Sequence, residues 1–427
     1  MFDHRRAIKR TFVRYVYALC VFAGALLWGP LAKATEPLLV GFGMPLTGYL
    51  ALNGKATLLA IQMWADDVNA NGGVMSRPVK LIYYDDQSNP ATLPGIYTKL
   101  VDLDKVDVIV SSYGTPQIIP VIPFAKQRGL VLMGLCGFAP NEVFKYDRYF
   151  AACPSGVNPE VEIGRGFFEI AASQTPKPQT IAIVSVDTEM AKSTANGARE
   201  LAARYGFRIV YDKGYPANIV DLTPVIRAIQ AAKPDLVFVA SYPVDSSNFV
   251  RSVKELEFQP KMIGGAMVGL QYAAVKAQLG PLLNGFVNYE FYVPETTTAS
   301  LGIKNFIERY QVKAAQAGTD LLGFYAPPFA YAAMQILKEA IEKTTTSDIA
   351  KLDQGKIADY IRSNQFDTIA GAIRFGTNGE WQTARNLLVQ FQNVKNSDLE
   401  QFRKPGTQVI LYPPAYKSGQ MIYPFGQ

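Results

Sequence analysis

Along most of this chain, short apolar runs alternate with longer segments whose apolar residues recur at helical spacing. Residues 38–42 are apolar and few, the pattern of a buried strand. Residues 44–53 read as a loop marked by Pro45 and Gly48. Ala56, Leu59, Ala60, Met63 and Val68 then fall on one helical face, while Asp66, Asp67 and Asn69 are polar. This spacing predicts a helix over 56–70, stopped by Gly72 and Gly73. Apolar runs at 79–84 and 107–112 complete a βαβ unit. A parallel sheet carries its ligand loops at the carboxyl ends of its strands, so the loops at 44–53 and 111–117 are expected to meet at one edge. A helix over 118–129 and strands at 130–134 and 149–153 continue the series, and residues 154–159 break it.

The pattern then restarts. Strands are expected at 180–186, 207–211, 235–240 and 261–264, with helices over 160–172, 191–205, 221–232 and 246–257. A series that restarts, instead of extending, argues for two doubly wound α/β lobes. Residues 285–292 read as a strand returning to the first lobe, followed by helices over 300–317, 328–343 and up to 363. Residues 387–392 are expected to finish the second lobe. The expected division is 35–156 plus 285–370 for lobe 1 and 157–284 plus 371–395 for lobe 2. Residues 396–427 form a tail packing on the lobes, and the chain crosses between lobes three times.

The first 34 residues stand apart. A basic stretch from His4 to Arg10 precedes an apolar segment over 15–29, and Ala32-Lys33-Ala34 supplies small residues for cleavage. That is the plan of a secretory signal, expected to be cut after Ala34. The apolar segment is short for a membrane-spanning helix of about 20 residues. This segment also explains the net charge of +6. It carries six of the 42 basic residues and one of the 36 acidic ones, leaving 36 against 35. A body at +1 offers no electrostatic case for nucleic acid. With 427 residues, 49% of them hydrophobic, the chain is long enough for two separate cores.

His4 is the only histidine, and it lies in the signal. The secreted chain therefore lacks Ser-His-Asp and Cys-His nucleophile systems and most zinc sites, and no enzyme activity, cofactor or metal is expected. Gly41-Phe42-Gly43 lacks the third glycine of a dinucleotide fingerprint, because Leu46 stands there. Cys136 and Cys153 flank a short connection in a chain bound for an oxidising compartment. A disulfide and two separate buried thiols are both open readings. Asp85-Asp86 is expected to support a turn, since adjacent carboxylates on a strand face opposite ways.

Pro45-Leu46-Thr47-Gly48, the Val68–Val74 stretch VNANGGV, the Tyr84–Pro90 stretch YDDQSNP and the strand end Ser111–Gln117 (SSYGTPQ) follow one another in this order. So do Phe375–Glu380 (FGTNGE) and the closing Met421–Phe425. Together they resemble the type I periplasmic solute-binding proteins, in the leucine/isoleucine/valine-binding branch of ABC-transporter substrate-binding subunits. The resemblance covers most of the secreted chain. It implies two doubly wound parallel-sheet lobes joined by a three-crossing hinge, a small solute held between them, a membrane permease as partner, a monomer, and a place in the periplasm. A ligand sensor of the same fold is the alternative.

Position by position, the resemblance implies a site made of Asn53, Tyr113, Gly114, Thr115, Phe138, Met190, Tyr242, Ala266, Phe324 and Tyr325. Tyr113, Gly114 and Thr115 would bind a solute carboxylate through backbone N–H and hydroxyl groups. Met190 stands where a pocket aromatic is common. Amino-acid-binding relatives place an acid for the solute ammonium where this chain has Ala266, beside Met267. Either another acid reaches the pocket, with Glu189, Asp245 and Glu290 as candidates, or the solute has no α-ammonium. The second reading is favoured, and an apolar or aromatic carboxylate would suit Phe138, Met190, Tyr242 and Tyr325.

Overall fold

The computed structural model describes residues 36–217, 219–295, 301–345 and 352–426. The segment read as a secretory signal, with its expected cleavage after Ala34, lies outside them. Two separate β-sheets carry the chain. The first has five parallel strands in the order β2-β1-β3-β4-β5. They are β1 (Leu38–Met44), β2 (Val79–Asp85), β3 (Val108–Tyr113), β4 (Leu132–Leu135) and β5 (Tyr149–Ala151). Helices α1 (Ala51–Ala70), α2 (Leu93–Thr98), α3 (Thr115–Ile118) and α4 (Val121–Arg128) connect them. Strand β3 is buried on both faces, which is why it reads as one apolar run. Its alternate residues divide between two cores. Val108 and Val110 pack on the α1 side, and Ile109 joins Leu93, Ile118 and Val121 on the other.

Helix α1 starts at Ala51, earlier than its apolar spacing suggests, so Asn53 belongs to the first helical turn and not to the preceding loop. Gly54 makes this possible. A Cβ there would lie 2.0 Å from the Pro45 carbonyl oxygen, so only glycine lets the loop pass over the helix start. The helix ends as expected, with positive φ at Gly72 and Gly73 and the Gly73 N–H donating to Val68 O.

The second sheet has seven strands in the order β14-β13-β10-β9-β8-β6-β7. Its parallel part comprises β6 (Thr180–Val186), β7 (Arg208–Tyr215), β8 (Leu236–Ser241), β9 (Met262–Met267) and β10 (Val287–Glu290). Helices α5 (Pro159–Ala172), α6 (Glu189–Tyr205), α7 (Thr223–Ala231), α8 (Pro243–Glu255) and α9 (Ala273–Leu279) belong to this series. Helices α10 (Leu301–Ala317), α11 (Pro327–Thr344) and α12 (Gln354–Ser363) return to the first sheet. There Tyr331 donates to Asp67 of α1 at 2.7 Å, Lys313 pairs with Asp66 at 2.8 Å, and the Gln354 side chain accepts the Val131 N–H at 2.9 Å. A hairpin, β11 (Phe366–Thr368) and β12 (Gly371–Ile373), precedes β13 (Leu387–Phe391) and β14 (Gln408–Tyr412), which extend the second sheet antiparallel.

Two expectations change. The strand expected at 285–292 to return to the first lobe is β10, and it stays in the second sheet between β9 and β13. Gly264 explains this. It has positive φ, and a Cβ on it would sit 1.8 Å from Val287 O. A residue with a side chain there would hold β10 away. The tail, expected only to pack on the lobes, supplies β14 as an edge strand.

The chain thus passes between the sheets three times: after β5, after β10 and before β13. The first and third passages run side by side. Ala151 N–H donates to Gly379 O at 2.8 Å, Trp381 Nε1 to Ala151 O at 3.0 Å, and Arg385 N–H to Pro154 O at 2.9 Å. Among the described residues no helix is long and apolar enough to cross a membrane.

Candidate functional site

The carboxyl ends of both sheets face one cluster of aromatic residues. Tyr113 closes β3, Phe138 follows β4, Tyr242 follows β8, Tyr272 precedes α9, Tyr289 lies on β10, and Tyr325 precedes α11. All six are buried. Tyr325 is the hub. Its ring meets Tyr272 edge-on at 5.8 Å between centroids, Tyr289 at 6.3 Å and Tyr113 at 6.4 Å, and it stacks on Phe291 at 5.3 Å. Phe138 packs its ring against Tyr289 at 6.2 Å, and Tyr49 against Tyr242 at 5.9 Å. Edge-to-face contacts of this kind fix ring orientation as well as burying area.

Asn53 joins the two lobes within this cluster. Its Nδ2 donates to Tyr113 Oη at 2.7 Å and also to Tyr272 Oη. Tyr272 is itself held in place, because Asp320 accepts the adjacent Ala273 N–H at 2.7 Å. Tyr289 Oη donates to Tyr325 Oη at 3.4 Å. Burial first, and the neighbouring tyrosines after it, push the hydroxyls of Tyr113, Tyr242, Tyr272, Tyr289 and Tyr325 well above the ordinary tyrosine range. They are neutral hydroxyls, able to donate as well as accept.

The strand-end backbone is arranged differently from the resemblance. Gly114 has φ of 93°, and its N–H donates to Leu135 O at 3.0 Å, so it is engaged within the first sheet and does not await a carboxylate. Thr115 Oγ1 accepts the Phe138 N–H at 2.9 Å. That bond ties two loops together and leaves the threonine proton to donate. Cys136 and Cys153 form a disulfide, with Cα atoms 4.8 Å apart, which anchors the Phe138 loop to the first passage between the sheets.

Three residues in the expected site stand apart from the cluster. Phe324 faces away from it, packing on Tyr292 at 5.3 Å and beside the Lys276 ammonium at 5.8 Å. Consecutive residues in an extended loop point opposite ways, so Tyr325 enters and Phe324 does not. Met190 is buried at the start of α6, where its sulfur takes a contact from Thr194 Oγ1 at 3.6 Å. Ala266 is buried in β9 opposite Ala240 of β8 and brings no polar group.

The candidate replacement acids are placed elsewhere. Asp245 accepts Tyr215 Oη at 2.7 Å and the Tyr242 N–H at 3.1 Å; burial pushes its carboxyl up to about 6, against those hydrogen bonds. Glu290 points from the opposite face of β10 to Tyr289 and meets Lys276 Nζ at 3.3 Å, with both side chains fully buried. Burial pushes Glu290 up to about 7, with Lys276 pulling it back. Glu189 is exposed, on a groove of about 890 Å³ at the rim, whose walls include Pro116, Phe138 and Val143 on one side and Glu160 and Lys192 on the other. Asp85 and Asp86 act locally, as expected. Asp85 accepts from Leu46 N–H and Thr47 Oγ1, and Asp86 from Ser88 N–H and Gln117 Nε2. Among the described residues no three His, Cys, Asp or Glu side chains gather to hold a metal ion.

Sequence reasoning missed Tyr49, Tyr272, Tyr289 and Phe291. Tyr289 and Phe291 carried a signal, since residues two apart on a strand share a face, but assigning 285–292 to the other lobe hid it. Tyr272 follows an irregular stretch and had no pattern to mark it.

The family model for periplasmic binding proteins matches residues 37–396, and the chain belongs to that family. A relative in Brucella abortus, Leu/Ile/Val-binding protein homolog 8, is 24% identical over 362 residues, covering 82% of this chain and 87% of its own. Two solved structures share the fold at a TM-score of 0.71. One is a branched-chain amino acid transporter substrate-binding protein of Streptococcus pneumoniae in complex with isoleucine, 18% identical, covering 84% of this chain and 97% of the other. The second is an ABC-transporter solute-binding protein of R. palustris in complex with benzoate, 17% identical, covering 88% and 96%.

Proposed function

We propose that this chain is the periplasmic solute-capturing subunit of an ABC importer, and that its solute is a small carboxylate without an α-ammonium, apolar or aromatic. One observation carries the choice of solute. Five neutral tyrosines and Asn53 face one another between the sheets, while Ala266 stands where an ammonium-binding acid is expected and Asp245 and Glu290 are engaged elsewhere. Breaking a buried ion pair by removing one partner costs about 3–5 kcal/mol, or roughly 10²- to 10⁴-fold in affinity. The tyrosine and Thr115 hydroxyls supply donors for a carboxylate, and the aromatic faces supply its apolar wall. The two complexes of this fold, with isoleucine and with benzoate, are consistent with a scaffold that accepts either class.

The working cycle follows from the three passages. A solute touching Tyr113 and Asn53 on one lobe and Tyr242, Tyr272 and Tyr289 on the other binds the closed state better than the open one. It therefore shifts the population toward closure. The closed form is what a permease would receive.

A thermal-shift panel on the secreted chain tests this reading. One arm holds α-amino acids and the other aliphatic and aromatic acids lacking the amine. A ligand at 100 times its dissociation constant adds about 2.7 kcal/mol. The expected result is a shift of a few degrees with amine-free acids alone. A shift with amino acids alone would overturn the choice of solute, and silence across both arms would overturn the carboxylate reading itself.

A further inference from the structure

Asp320 is a buried carboxylate that accepts backbone N–H groups from both lobes. Its Oδ1 accepts from Ala273 of α9 at 2.7 Å, and its Oδ2 from Gly323 of its own loop at 2.7 Å. Ala273 follows Tyr272, and Gly323 stands two residues before Tyr325. One side chain therefore fixes the backbone next to a site tyrosine on each side.

The loop of Asp320 runs over residues 318–326, between α10 and α11, and is built on the first lobe. Both helices are tied to α1, through Arg309 and Tyr331 to Asp67 and through Lys313 to Asp66. The loop is tied to α10 in turn. Gln311 Nε2 donates to Leu322 O at 3.1 Å, and Gly323 turns at φ of 68° against the Tyr310 ring, where a Cβ would not fit. Its outward contacts go to the second lobe. Beside the Ala273 bond, Arg403 Nη2 of the tail donates to Leu321 O at 3.3 Å, and Phe324 lies beside the Lys276 ammonium at 5.8 Å.

The second lobe also supplies much of what keeps Asp320 ionised. Burial pushes its carboxyl above the ordinary range, while the Ala273 and Gly323 N–H groups, and Lys276 after them, pull it back. Lys276 lies on α9, where its own N–H donates to Tyr272 O at 2.9 Å, and its ammonium is paired with Glu290. When the lobes part, α9 leaves the loop. Asp320 then loses the Ala273 N–H and the nearby Lys276 and keeps only the partners of its own loop. Hydrogen bonds to an ionised acceptor are the strong ones, and this one is made only with the lobes together. Its partners are backbone groups outside the aromatic cluster, so the tie needs no solute to form.

We propose that Asp320 is a positioning residue for lobe closure: it ties the 318–326 loop of the first lobe to α9 of the second, sets Tyr272 and Tyr325 against each other, and holds part of the population closed before a solute arrives. This rests on the reading of the aromatic cluster as a solute site between two closing lobes. Apparent affinity is the intrinsic affinity scaled by the fraction of the protein in the competent state. Loss of the tie therefore weakens capture without removing any group that touches the solute.

The experiment measures the radius of gyration of the solute-free secreted chain by small-angle scattering, and its titration with 3-phenylpropanoate by calorimetry. Wild type, Asp320→Ala and Asp320→Asn are compared. Asp320→Ala is expected to have the larger radius without solute, to return to the wild-type radius at saturation, and to bind about tenfold more weakly. Asp320→Asn keeps one carbonyl acceptor without the charge and is expected to fall between the two; it carries the test should Asp320→Ala fail to fold. A folded variant with the wild-type radius and affinity would overturn the proposal. So would a lower melting temperature with the radius unchanged, which is what a purely structural carboxylate gives. The scattering needs no ligand, so a larger radius beside silence in every titration would support the tie and overturn the choice of solute alone.

Discussion

Glu380 sits on the third passage between the sheets with both carboxyl oxygens buried and, among the described residues, no hydrogen-bond partner. The Tyr149 hydroxyl of β5, whose own acidity is weakened by burial and then by Glu380, is likewise unpartnered, and Glu142 is the nearest further charge acting on Glu380. Burial first, and Glu142 after it, push the Glu380 carboxyl well above the ordinary range. The sign follows directly. A raised folded-state value means that the folded protein holds a proton which the unfolded chain releases above about pH 4.3. The contribution of Glu380 to stability is therefore greatest below that pH and falls by up to about 1.4 kcal/mol per pH unit as pH rises toward the folded-state value. Glu380→Gln removes the dependence. It is expected to melt above wild type at pH 8, with the gap closing toward pH 4.5; a gap that does not change with pH would place the cost of Glu380 outside its ionisation. Legibility at this scale followed orientation. Tyr113 could be found in the sequence because it lies in a strand-end motif, and Phe138 and Tyr242 because they follow predicted strands, while Asn53 and Tyr325 came only from the resemblance. Phe324 and Met190 could not be told from them, since which way a loop side chain turns is decided by tertiary packing.

Elements were more legible than their partners. The central strands were readable because burial on both faces leaves an uninterrupted apolar run, and α1 because Gly72 and Gly73 end it. The start of α1 was hidden, because its first turn, Ala51-Leu52-Asn53-Gly54, has no apolar spacing and no capping side chain. Strand β10 was recognised as a strand and given to the wrong sheet. Apolar pattern specifies that a strand is buried and leaves open which strand lies beside it. Here Gly264 decides, by letting the β10 backbone come close. Gly264→Ala tests that statement. The new Cβ would overlap Val287 O at a φ of 128°, which side chains rarely adopt. The expected loss is about 3 kcal/mol, read as a lower urea midpoint. A variant as stable as wild type would show that β9 and β10 do not need the close approach.

Across the whole molecule, two sheets, three passages and one aromatic cluster form a closed arrangement in which contacts between lobes surround the site. Asn53 to Tyr272, Phe138 to Tyr289 and Tyr49 to Tyr242 are all such contacts. On the proposed reading, a solute held among them reports on the state of the hinge. The two-lobe plan was visible in the sequence from the restart of the βα series after 159. The content of the site was only partly visible, because half its aromatic residues come from a strand and a turn whose position depends on the other lobe. The central claim is that the site takes a carboxylate and has no counter-charge for an ammonium. Its most direct test is a titration with a matched pair, 3-phenylpropanoate and phenylalanine, which differ only by the α-amino group. The account expects 3-phenylpropanoate to bind at least 100-fold more tightly, the lower end of the cost of an unpaired buried charge. Tighter binding of phenylalanine would contradict it, and would mean that a carboxylate reaches the ammonium after all.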